Sequence, residues 1–142
     1  FTAYKRNDDL IVHGARIVLG VTSDNKEISM RIARAHESYP DFQSAVQDKI
    51  EQNKRTLDSL EKSDKKASAK LRSDLVMAAF CETCIKSWEN VQDKDGTVLE
   101  CNEANIQRLA TELPELMEEL FKFASTDSNY VGEFDEKGAL KN

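Results

Sequence analysis

The sequence predicts a mainly α fold: a small helical domain, a helix hairpin plus two short C-terminal helices, with one N-terminal β-hairpin. Three observations carry this expectation. Five Gly and two Pro in 142 residues leave few turn-formers for a sandwich of many short strands. Apolar residues recur at helical spacing from Pro40 to Ala124, and period-two alternation is confined to residues 15–34.

The hairpin comes first. Residues 15–21 are β-branched and apolar, Asp24 and Asn25 form a turn, and Ile28, Met30 and Ile32 then alternate on one face. A lone hairpin is marginal in water, so that face must pack on helices or on a strand of another chain. From Pro40 to about Lys62 a helix is predicted, Pro40 suiting a first turn and Asp41 its positive N-terminus. Its single stripe is Phe42, Val46, Ile50, Leu57 and Leu60, with Asn53 where an apolar residue would continue the pattern. Ser63 or Asp64 then caps a helix over about residues 65–89. Leu75 to Ile85 is apolar on nearly every side, so residues 71–88 are expected as the core, with Trp88 buried at the helix end. The first helix pairs with this one as an antiparallel hairpin.

Asp95-Gly96 marks a reversal, and Asn102 caps a helix to Leu113. Pro114 ends that helix and starts another. One domain is expected over residues 1–125, and residues 126–142 read as an irregular polar tail.

Composition narrows the function. Hydrophobic residues at 39% and charged residues at 32% suit one core with many solvated helix faces. No apolar run approaches the roughly 18 residues of a membrane span, so no membrane partner is expected. The start lacks an apolar h-region, so no signal peptide is expected, and Phe1 is not an initiator Met, so a processed, truncated or incompletely read chain is expected. Net charge is −6, and residues 71–142 carry 15 acidic against 7 basic side chains. Such a half repels phosphate backbones, which argues against nucleic acid as a partner.

The sharpest chemical pattern is Cys81-x-x-Cys84. A redox pair belongs at a helix N-terminus, and a structural zinc needs four ligands. This pair lies inside an apolar helix, Cys101 follows only beyond the Asp95-Gly96 reversal, and His13 and His36 are remote. Core packing with free thiols is the reading. Asp93-x-Asp95-Gly96 echoes a calcium loop, but Val91 and Asn102 would fall at its first and twelfth positions, and neither is a carboxylate. No nucleophile elbow or phosphate loop occurs. The chain is therefore expected to be no enzyme, without metal or cofactor.

From Leu75 to Tyr130 an ordered set of motifs appears. An apolar helix closes on Trp88-x-x-Val91, followed by the Asp95-Gly96 turn and the helix begun at Asn102. Then come Leu113-Pro114, Phe121, Phe123 and Asn129-Tyr130. Over this stretch the order resembles the tail assembly chaperones of long-tailed bacteriophages. The resemblance implies a small helical phage protein of the host cytoplasm that binds the tape-measure protein, tail-tube subunits or both during tail morphogenesis. The alternative is a structural subunit retained in the virion, as a tail, connector or capsid-associated protein; a homo-oligomer fits either reading.

The partner contact is expected on the C-terminal helix and tail, at Leu116, Leu120, Phe121, Phe123, Tyr130 and Phe134. Phe121 and Phe123 are offset by about 200° on a helix, so both rings cannot face one core. Aromatics beside acids suit a contact steered by charge and held by apolar area. The competing expectation is that the tail folds back and buries these rings.

Overall fold

A computed structural model describes residues 5–134 and 140–141, with side chains described over 7–132. It opens with β1 (Lys5–Arg6) and α1 (Asp8–His13), a short helix whose Asn7 cap accepts from the Leu10 N–H at 3.1 Å. Gly14 (φ 101°) turns α1 directly into β2 (Ala15–Val21). A Cβ at Gly14 would meet the Arg31 and Ile32 backbone at 2.9 Å, so only glycine permits this approach.

β2 pairs antiparallel with β3 (Glu27–Ile32), Ile17 opposite Met30 and Ala15 opposite Ile32, with a bulge between Val18 and Gly20. The Thr22 hydroxyl accepts from the Lys26 N–H, and Asn25 takes the left-handed backbone the turn needs. The predicted hairpin therefore forms, with its apolar face packed inward.

α2 (Pro40–Gln52) and α3 (Lys54–Ser63) occupy the region expected as one helix. The break falls at Asn53, whose side-chain amide donates to the Lys49 carbonyl at 2.7 Å. An amide that bonds the preceding turn competes with the helical ladder. α4 (Lys65–Thr83) starts at Asp64, whose carboxylate accepts from the Ala67 N–H at 3.1 Å.

The mainly α fold with a single hairpin is wrong, and the first reason follows α4. The helix ends at Thr83, and Ile85–Glu89 is strand β4, antiparallel to β3 with Trp88 opposite Met30 and Ile85 opposite Ile32. The hairpin thus supplies two strands of a three-stranded sheet ordered β2-β3-β4, with β3 at its centre. Trp88 lies on this strand, not on a helix, and is half-buried, its indole N–H donating to the Leu99 carbonyl at 2.7 Å.

After the Asp93 turn come α5 (Glu103–Glu112), capped by Asn102, and α6 (Pro114–Ala124), with Pro114 in its first turn. The segment expected as an irregular tail carries a 3-10 turn (Asp127–Tyr130) and β5 (Val131–Phe134). β5 pairs antiparallel with β1, Lys5 opposite Gly132, and β6 (Leu140–Lys141) adds to its other side. The described residues therefore form a mixed α and β protein of six α-helices and two three-stranded antiparallel sheets.

One core joins these elements. Ile11, Met30, Ile32, Tyr39, Phe42, Phe80, Cys84, Ile106, Leu109, Met117, Leu120 and Tyr130 form a single buried cluster. Leu57 is buried outside it, where α3 packs on the first half of α4.

Candidate partner-binding groove

α4 enters the core only at its C-terminal end, where Ala79, Phe80 and Cys81 are buried. Its first three turns pack on α3, and another face stays open. Lys65, Ala69, Arg72 and Val76 lie on that face at steps of four, three and four. Together with the end of α3 and the side of α6 it encloses a groove of about 770 Å³.

The groove changes character along its length. Small side chains, Ser68, Ala69 and Ser73, form its middle. Val76, Met77 and Phe121, each half-buried, form its inner end, where Phe121 meets Phe80 edge-to-face at 5.4 Å. Glu61, Lys65, Arg72 and Glu118 stand around it, and among the described residues none of the four is in an ion pair. An apolar, open trough ringed by uncommitted charges has the anatomy of a contact surface.

The residues expected to meet a partner are not gathered in one place. Leu120 and Tyr130 are core residues, at 0% and 1% exposure. Phe123 leans edge-to-face on Tyr130 at 6.1 Å, and Leu116 is half-buried. The Phe134 side chain lies outside the described residues. Among the described residues of that set, Phe121 alone lines the groove. Sequence reasoning missed Ala69, Arg72, Val76 and Met77; the available signal was the polar first half of α4, followed by more apolar residues than one stripe needs.

A cation holds the C-terminal segment in place. Arg34, buried, donates to the Ala124 carbonyl at 2.8 Å and to the Asp127 carboxylate, and its guanidinium lies 5.4 Å from the Tyr130 ring centre. The Tyr130 hydroxyl donates to the Ile32 carbonyl at 2.7 Å, and burial pushes its pKa up. Arg34 thus satisfies the C-terminus of α6 and neutralises Asp127 at once. A smaller cavity of about 280 Å³ adjoins it, lined by His36 and Ser38.

Cys81 and Cys84 are buried free thiols. Burial raises both, Cys84 to about 12, so neither is a thiolate near neutral pH. Among the described residues no three His, Cys, Asp or Glu side chains converge as metal ligands. No described helix is long and apolar enough to cross a membrane.

Fold and groove together define a small mixed α and β protein that presents a helix-lined trough. Within that class its family is given by a family model described as YdaY prophage protein, which matches residues 37–142. The match spans most of the chain: the protein belongs to this family and is phage-derived. The groove lies wholly inside the matched residues and the β2-β3 hairpin outside them. No curated protein and no solved structure matches the chain.

Proposed function

We propose that this phage-derived protein is a non-enzymatic tail assembly chaperone. It binds the tape-measure protein, tail-tube subunits or both in the host cytoplasm during tail morphogenesis, and works without a cofactor. The groove is the observation that supports this most: an apolar trough beside α4 suits a helical segment that would otherwise aggregate. The net charge of −6 would keep such a complex soluble. The motif order from Leu75 to Tyr130, which resembles that of tail assembly chaperones, lies within the segment that matches the prophage family.

The test has two readouts. The tagged chain is co-expressed with the tape-measure protein of the same prophage and purified, and purified virions are analysed by mass spectrometry. Co-purification and absence from virions are expected. Fixed stoichiometry in virions would make the chain a structural subunit, and failure to co-purify would remove the chaperone reading.

A further inference from the structure

We propose that the occupant of the groove is a single amphipathic α-helix of about three turns, from another protein, with acidic residues facing Lys65 and Arg72. This rests on the reading of the groove as the partner site. Four observations support it.

The first is length. Lys65 to Val76 line one face of α4, and twelve residues at 1.5 Å rise make a trough of about 18 Å, or three turns. The second is the nature of the walls. They are side chains of α3, α4 and α6 with no sheet edge among them, so an extended peptide would leave its backbone groups unpaired. A helix satisfies its own. The third is relief: Ser68, Ala69 and Ser73 in the middle let a second helix approach α4 closely, while Val76, Met77 and Phe121 receive its apolar stripe.

The fourth is charge. Lys65 and Arg72, two turns apart on one face, have no ion-pair partner among the described residues, and two unpaired acids stand around them, Glu61 at the end of α3 and Glu118 across on α6. A second copy docked through its own α4 does not complement that pattern. Antiparallel pairing of two α4 helices about Ala69 would set Arg72 beside the second copy's Lys65, like charge on like. A foreign helix with acids on one flank of its apolar stripe neutralises Lys65 and Arg72, and basic residues on the other flank answer Glu61 and Glu118.

The probes are fluorescently labelled synthetic helices, long enough to span the trough and carrying the same leucine stripe. One has glutamate on one flank and lysine on the other; the second has lysine on both. Fluorescence anisotropy against the full chain is expected to show the mixed helix binding at least 10-fold more tightly than the all-lysine helix. Ala69→Trp, which fills the middle of the trough, should abolish binding. Arg72→Glu should weaken the mixed helix and strengthen the all-lysine helix, a reversal that holds even if Ala69→Trp disturbs folding. No binding, equal affinity for the two probes, or binding indifferent to both substitutions would overturn the inference. The functional reading fails separately. If the probes behave as expected and the tape-measure protein does not co-purify, the chaperone reading is lost and the groove assignment stands. If that protein co-purifies equally with the wild type and with a folded Ala69→Trp chain, the groove assignment is lost and the chaperone reading stands.

Discussion

The two ends of α4 are one continuous helix in opposite environments. At the C-terminal end Phe80 has no exposure, meets Phe121 edge-to-face and leads into Cys84 and β4 at the centre of the core. At the N-terminal end Lys65, Ala69 and Arg72 face an open groove, and α4 packs on α3, where Leu57 is buried. Helices take most of their stability from packing an apolar face. The first half of α4 therefore depends on its cap and on α3, and its free face can change without loss of the fold. The core end sets stability; the groove end is available for contact.

The largest expected effect lies at the core end. Phe80→Ala should cost about 3–5 kcal/mol, because a fully buried ring and its edge-to-face contact with Phe121 are lost. Denaturant midpoints would measure it. A loss below about 1 kcal/mol, the size of an ordinary surface change, would mean that the two ends do not differ as described.

The pH dependence sharpens the same contrast. Burial lifts Cys84 from its ordinary value of 9.0 to about 12. Folding therefore favours the protonated thiol, so this contribution is fully present below pH 9 and declines as pH rises from 9 towards 12. Its loss is at most about 4 kcal/mol. Unfolding free energies between pH 7 and 11, compared with those of Cys84→Ala, would isolate it. Thiol labelling of the folded chain should leave Cys81 and Cys84 unmodified, with the half-buried Cys101 reacting first.

What could be read from the sequence divides along similar lines. The β2-β3 hairpin was legible because Ile28, Met30 and Ile32 alternate beside a turn of Asp24 and Asn25. The caps at Asp64 and Asn102 and the break at Pro114 were legible because each acts on its own neighbours. β4 was not: Cys81, Cys84, Ile85 and Trp88 fall at three- and four-residue steps that mimic a helical face, with no Gly or Pro to mark the end of α4. Only pairing with β3, far earlier in the chain, makes Ile85–Glu89 a strand. The C-terminal segment failed in the same way, since β5 is defined by β1 at the other end of the chain and Tyr130 by the Ile32 carbonyl. The groove was hidden for a different reason. α3 and α6 each show an ordinary amphipathic pattern and α4 changes from polar to apolar along its length, and the space between them is a property of their arrangement.

At the start of α4 the expected change is smaller. Asp64→Ala removes the carboxylate that accepts from the Ala67 N–H and should cost about 1 kcal/mol. Because this end packs mainly on α3, hydrogen exchange should rise over Ala67 to Leu71 and stay unchanged around Phe80. Uniform acceleration across α4 would show that the two ends open as one unit.

The smallest effect on stability, and the most informative, is expected within the groove. Arg72→Glu replaces an exposed side chain that makes no ion pair among the described residues. Surface changes of this kind stay within about 0.5 kcal/mol. The substituted glutamate lies two residues before Asp74 and four after Ser68, so it gains no adjacent acid on its own face of the helix. Thermal midpoints of the two chains should therefore coincide, while affinity for the mixed glutamate–lysine helix falls. A loss of stability of about 2 kcal/mol or more, the size that marks a packed or networked side chain, would make Arg72 part of the scaffold. The division between a core end and a contact end of α4 would then no longer hold.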